Sequence, residues 1–341
     1  MRQDLAERIT SRRLTALLGP RRYGKTSLLR QVSADLGGVD HETVWVDLYE
    51  MGSMADVASA VDHGLAATKG RLRAALDALA GSMSFSLGVL GLELAKGPRN
   101  RPEPTLWLRH LLRMVVQVAQ KQRLILVLDE FSGLDGVDHA AGVFRTELQH
   151  HYREFGIVFA GSQPSTMAMM FSDRAQPFFS QADLVKIGPL SDADVIDTVQ
   201  TGFEATGRGV GPLAGRIADY AQGHPQRAMQ LADAAWNLLE PGSEATDGDW
   251  PIVLEAVRAS VEDGSERLFA LLPLGHQKVL RVVANGGSVY GTAGGALSLP
   301  PGTAQGAVTA LVGEGYLARD DDRWLVVDPL FADWIRRRFP M

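Results

Sequence analysis

The chain of 341 residues has no cysteine. That excludes a disulfide framework, a thiolate nucleophile and a thiolate metal site, and it suits a reducing compartment, so a cytoplasmic location is the expectation. Long apolar runs are also missing. The longest weakly charged stretch, Ser82 to Leu92, is about half of the ~20 residues a spanning helix needs, and Glu93 follows at once. The polar stretch Met1 to Arg13 reads as neither signal peptide nor anchor, so a soluble protein with no membrane association is expected. There is no internal repeat and no low-complexity tract.

Basic charge is scarce where it would matter for nucleic acid. The formal net charge is −6, but residues 190–264 carry only four Lys and Arg against thirteen Asp and Glu. No part of the chain is a strong polyelectrolyte partner by charge alone. A hydrophobic fraction of 45% is ample for real cores, and this length predicts more than one domain.

Short, almost continuously apolar runs occur at Leu14 to Leu18, Thr43 to Leu48, Leu124 to Leu128, Ile157 to Ala160 and Leu184 to Ile187. Such runs suit strands buried on both faces of a parallel sheet. Helical periodicity separates them at Thr26 to Leu36, Met54 to Leu79, Leu106 to Ala119 and Val143 to Phe155. The alternation predicts a doubly wound α/β domain over 1–189. From Ser191 the pattern turns wholly helical, with helices at Asp192 to Gly207, Pro212 to Gln222, Gln226 to Leu239 and Trp250 to Val261, which predicts a helical lid over 190–264. Residues 265–341 read as helices at Gln277 to Ala284, Thr292 to Leu297 and Thr303 to Gly313. A hairpin follows, Tyr316 to Arg319 and Trp324 to Val327 around Asp320 to Asp322, and then a closing helix at Asp328 to Phe339. That is winged-helix order.

Residues Gly19-Pro20-Arg21-Arg22-Tyr23-Gly24-Lys25-Thr26, followed by Ser27, match G-x-x-x-x-G-K-[ST] between a strand and a helix. Glycines let the backbone turn tightly, so successive N–H groups and a helix N-terminus point at phosphate oxygens. Lys25 is the candidate contact to β and γ phosphates, and Thr26 the candidate Mg²⁺ ligand. The apolar run ending at Leu128 delivers Asp129 and Glu130 to the carboxyl edge of the sheet. There Asp129 suits the Mg²⁺ shell and Glu130 a general base for an attacking water. No Asn-Lys-x-Asp occurs, which favours ATP over GTP.

With these residues in view, the chain resembles the P-loop ATPases of the STAND and archaeal-ATPase group, relatives of AAA+ proteins. The resemblance rests on GPRRYGKTSLL at 19–29, LVLDEF at 126–131, GSQPSTMAMMF at 161–171, GHPQRAMQLA at 223–232 and DPLFADWIRRRF at 328–339. It implies an ATPase with five parallel strands, a helical lid and a C-terminal winged helix, switching with bound ATP or ADP and Mg²⁺ and passing that state to a protein partner or to self-association. Carried across, Ser162 or Gln163 would sense the γ phosphate. Pro225 of Gly223-His224-Pro225 would lie near the adenine or ribose, and Arg227 would be a second sensor. Arg174 and Arg153 are candidates for an arginine acting between subunits. After Arg174 the sequence is Pro177-Phe-Phe-Ser-Gln181, with no second arginine where the family often has one. Only 18 residues precede Gly19, so a short or absent adenine-contacting strap is expected.

Three further features point elsewhere. His139, His150 and His151 do not suggest a metal, because adjacent helical residues point about 100° apart. Phe85 to Leu94 alternates around glycines like an inserted hairpin. The third helix of the winged domain, Thr303 to Gly313, has no Lys or Arg, and Asp320 to Asp322 at the wing are acidic, which argues against DNA binding in the usual mode. A DNA-associated ATPase of origin-recognition or transposition-helper type, contacting duplex through its ATPase face, is the alternative reading.

Overall fold

The structure, a computed structural model, describes residues 1–82, 103–291, 294–295, 297–320 and 323–341. The five apolar runs become five parallel strands: β1 (Thr15–Leu18), β2 (Glu42–Asp47), β3 (Leu124–Asp129), β4 (Gly156–Gly161) and β5 (Asp183–Lys186). They lie in the order β2-β3-β4-β1-β5. Strands β1, β3 and β4 are buried at every position, whereas β5 alternates, as an edge strand covered on one face should.

Side chains leave each strand on alternate faces and so build two cores. On one face Leu17, Ile125, Val127, Val158 and Ala160 meet Leu5 and Ile9 of α1 (Arg2–Thr10) and Leu29, Val32 and Leu36 of α2 (Lys25–Gly37). On the other, Ala16, Leu18, Leu126, Leu128, Ile157 and Phe159 join the larger core. That core also takes α3 (Met54–Ala66), α4 (Gly70–Ser82), α5 (Pro104–Ala119), α6 (Ala140–Leu148) and α7 (Pro164–Ser172).

Several elements differ from the expectations. The helix expected over Met54 to Leu79 is two helices, because Gly70 adopts φ +58° and breaks the run. The helix expected over Val143 to Phe155 ends at Leu148, so His150 and His151 lie in turns, with His151 Nδ1 2.9 Å from Glu154 Oε1. Helices α1 and α7 were not foreseen. The expected hairpin at Phe85 to Leu94 lies outside the described residues.

Residues 1–19 and 25–187 form one compact unit, and residues 20–24 and 188–341 form the other. The second contains α8 (Asp192–Glu204), α9 (Leu213–Ala221), α10 (Pro225–Leu238), α11 (Trp250–Leu271), α12 (Leu274–Ala284), α13 (Pro301–Gly313), the antiparallel pair β6 (Leu317–Asp320) and β7 (Arg323–Val326), and α14 (Pro329–Arg338). Ser191 caps α8 by accepting from the Asp194 N–H. Helix α11 runs ten residues beyond the expected end at Val261, since Val257, Ser265 and Phe269 continue its buried face until Pro273. Residue 264, the expected lid boundary, lies inside it. Of the helix expected at Thr292 to Leu297, residues 292, 293 and 296 lie outside the described set, as do Asp321 and Asp322 of the wing turn.

Candidate functional site

Strand β1 delivers the chain to Gly19, where a Cβ would crowd the Ile187 carbonyl oxygen at 3.0 Å, so the loop leaves the sheet through a tight position that favours glycine. The turn into α2 uses Gly24 at φ +80° and, with a side chain present, Arg22 at φ +66°. Lys25 opens α2, is 5% exposed, and donates from Nζ to the Gly19 carbonyl at 2.8 Å. Thr26 Oγ1 donates to Asp129 Oδ2 at 3.0 Å, which brings the two expected Mg²⁺ ligands together. Ser27 is on the exposed side of α2.

Asp129 ends β3 and is buried. Burial pushes its carboxyl above the ordinary range against the pull of the Thr26 hydroxyl, and the charges of Glu130 and Asp47 push the same way. Asp47 ends β2 directly beside Asp129 in the sheet register. A buried carboxylate raised by neighbouring acids, with a hydroxyl alongside, is a hard-oxygen donor set suited to Mg²⁺, an ion that takes one or two carboxylates plus waters and phosphate oxygens. Among the described residues no group of three or more His, Cys, Asp or Glu could hold a metal unaided.

Glu130 takes a left-handed conformation, φ 51° and ψ 41°. Its backbone N–H donates to Asp129 Oδ1 at 3.1 Å. Its Oε2 accepts two hydrogen bonds from Ser162, the first residue after β4: one from the backbone N–H at 3.0 Å and one from Oγ at 2.8 Å. Ser162 is 3% exposed, so this clasp is sheltered. Gln163, the other sensor candidate, precedes α7 and accepts from Thr166 Oγ1.

The remaining loop residues, Pro20 to Gly24, group with the second unit. There the Tyr23 ring stands edge-on to His224 at 5.0 Å. His224 caps α10 through Nδ1, which accepts from the Arg227 N–H, and burial pushes its imidazole down, so it is neutral near pH 7. Pro225 occupies the first turn of α10, where its missing N–H costs nothing. Arg227 is buried and clamps Asp328 bidentately, Nε to Oδ1 at 2.9 Å and Nη2 to Oδ2 at 2.5 Å. Asp328 in turn caps α14 by accepting from the Leu330 and Phe331 N–H groups. Burial alone would push the Asp328 carboxyl up; the hydrogen bonds and charge of Arg227 outweigh it and hold it below the ordinary range.

Arg153 and Arg174 are exposed, and Arg174 borders an open cavity of about 490 Å³ with Arg145 and Phe179. The first unit thus gathers Lys25, Thr26, Asp129, Glu130 and Ser162 into one constellation, and the two arginines stand apart from it. Asp47 and Asp328 escaped sequence reasoning. Asp328-Pro329 carried a cap signature, whereas Asp47 shows its meaning only through strand register.

A five-stranded parallel sheet with a glycine-rich loop between β1 and α2 and paired acids after β3 is the α/β fold of P-loop proteins, and the helices and two-stranded hairpin that end the chain stand in winged-helix order. Solved structures share it. The Walker-type ATPase PABY2304 of Pyrococcus abyssi matches with TM-score 0.72 at 18% identity, covering 98% of this chain and 94% of that one. The ORC2 protein of Aeropyrum pernix, solved in ADPNP–ADP complexes, matches with TM-score 0.61 at 15% identity over 100% and 94%. ORC1 of the same organism, solved in complex with DNA, matches with TM-score 0.53 at 14% identity over 99% and 92%. At these identities the likeness is one of fold. No protein-family model and no curated protein matches the chain. Among the described residues no helix is long and apolar enough to cross a membrane.

Proposed function

We propose that this protein binds ATP with Mg²⁺ and hydrolyses it slowly, as a cytoplasmic switch whose nucleotide state sets the arrangement of lid and winged helix and is read by a protein partner or by self-association. The observation that carries the reading is the sheltered constellation of Lys25, Thr26, Asp129, Glu130 and Ser162 at the carboxyl ends of β1, β3 and β4.

Within it the roles divide by chemistry. The loop N–H groups and Lys25 bind and orient the phosphates. Thr26 and Asp129 would hold Mg²⁺, which when bound offsets phosphate charge. Glu130 takes a proton from the attacking water through the oxygen that Ser162 leaves free, Oε1, and Ser162 fixes its rotamer. Pro225 and Arg227 face the nucleotide in this reading once Arg227 releases Asp328. Arg174 or Arg153 serves a neighbouring copy.

Lys25→Ala tests the proposal: titration with a fluorescent ATP analogue should lose at least about a hundredfold in affinity, because Lys25 is the charge aimed at the phosphates. Wild-type affinity in that variant overturns the assignment.

The alternative, a DNA-associated ATPase, draws on the ORC1 relative solved with DNA. Turnover stimulated by duplex and falling with salt would favour it over the switch.

A further inference from the structure

Within the C-terminal unit a cavity of about 700 Å³ opens between α10, α11 and the start of α14, with Arg22 at one side. Its size lies in the range of small-molecule pockets, about 300–1,000 Å³. Three of its lining groups are ionised: Arg22, Arg227 and Asp328. Arg227 and Asp328 neutralise each other. Arg22 has no hydrogen-bond or ion-pair partner among the described residues, so the cavity presents one uncompensated positive charge.

Ser265 is 8% exposed and lines the cavity, and its hydroxyl makes no hydrogen bond within the protein among the described residues, so it can donate to a partner that enters the cavity. Apolar side chains supply the rest of the wall: Val261 and Phe331 within, and Met229 and Leu268, 41% and 36% exposed, at the surface. Gly264 contributes no side chain, and a Cβ there would meet nothing within 4 Å.

We infer that this cavity binds a small monoanionic amphiphile, a carboxylate on a compact apolar or aromatic body. The single free guanidinium matches a single negative charge in bidentate fashion, and the Ser265 hydroxyl donates to a carboxylate oxygen. The apolar wall covers the hydrocarbon. A phosphate dianion or a triphosphate would bring more negative charge than the one free guanidinium balances.

The test is a titration of the full chain, labelled at its methionine methyls, with 4-phenylbutyrate and with the neutral 4-phenylbutyramide, followed by NMR. The Met229 signal is assigned with Met229→Leu. Expected are a saturable shift of the Met229 methyl at one site, at least tenfold weaker binding of the amide, and loss of that preference in Arg22→Gln. Gly264→Phe should fill the cavity and abolish the shift. Ser265→Ala, which removes only the hydroxyl, should weaken the carboxylate at least fivefold and serves where the bulkier variant does not fold. Absence of a saturable Met229 shift, equal affinity for acid and amide, or undiminished binding in either cavity variant overturns the proposal.

Discussion

At the scale of single residues, the proposed hydrolysis turns on how Glu130 is held. Two donors from Ser162 converge on Oε2, so the carboxylate has one fixed rotamer and one free oxygen. Glu130→Gln keeps the shape and loses the base; turnover should fall by about 10² to 10⁴, the usual contribution of a general base, while ATP affinity stays near wild type. Steady-state phosphate release and a binding titration check both halves, and unchanged turnover removes Glu130 from that role. Ser162→Ala keeps the backbone N–H bond and loses the hydroxyl, so a smaller fall, about tenfold, is expected, again without a change in affinity. A matching loss of affinity would make Ser162 a phosphate contact rather than a positioning residue. Asp129 differs in kind. Its carboxyl is raised in the folded state, so its ionisation opposes folding as pH rises through the ordinary carboxylate range. Asp129→Asn should therefore raise the unfolding midpoint of the nucleotide-free protein at pH 7, and the gain should vanish at low pH, where the wild-type carboxyl is protonated.

At the scale of elements, the Arg227–Asp328 pair joins the lid helix α10 to the cap of α14. Removing one partner of a buried pair leaves a charge without compensation, so Asp328→Asn, which preserves the cap, should cost about 3 kcal/mol. Replacing both, Arg227→Met with Asp328→Asn, should recover most of it. The Asp328 carboxyl is lowered in the folded state, so the pair contributes fully above the ordinary carboxylate pKa and its contribution is lost as pH falls through the depressed value. Denaturant unfolding of wild type and Asp328→Asn between pH 3 and 7 checks this: the advantage of the wild type should shrink only below about pH 4. The pair also marks the limit of what was legible beforehand. Continuous apolar runs marked all five strands, most plainly β1, β3 and β4, which are buried at every position. The loop and the two acids were legible because their spacing is local. The partners of Glu130 and Arg227 lie 32 and 101 residues away, and no local pattern encodes them. Gly70 splits a helix whose periodicity ran straight through it, since the left-handed backbone there leaves no trace in hydrophobic spacing.

For the whole molecule, the distribution of charge favours the proposed switch over the DNA-associated reading. Nucleic-acid affinity scales with the phosphates neutralised by Lys and Arg. The exposed residues of α13 are Pro, Gly, Thr and Gln, with no cation among them, and residues 190–264 carry nine more acids than bases. Such a surface repels a polyanion and leaves an uncharged helix face for a protein. Fluorescence anisotropy with a labelled duplex of about 30 base pairs at 0.15 M salt should therefore give no saturable binding below about 10 μM in any nucleotide state, since specific sites bind far more tightly than that. Size measured by light scattering on the same samples should differ between ADP and a non-hydrolysable ATP analogue, because a switch requires a ligand that discriminates between its states. Lys25→Ala should abolish that difference. Duplex binding at nanomolar affinity with identical size in both nucleotides would exchange the two readings, and the ATPase face would then be the place to seek the contacts.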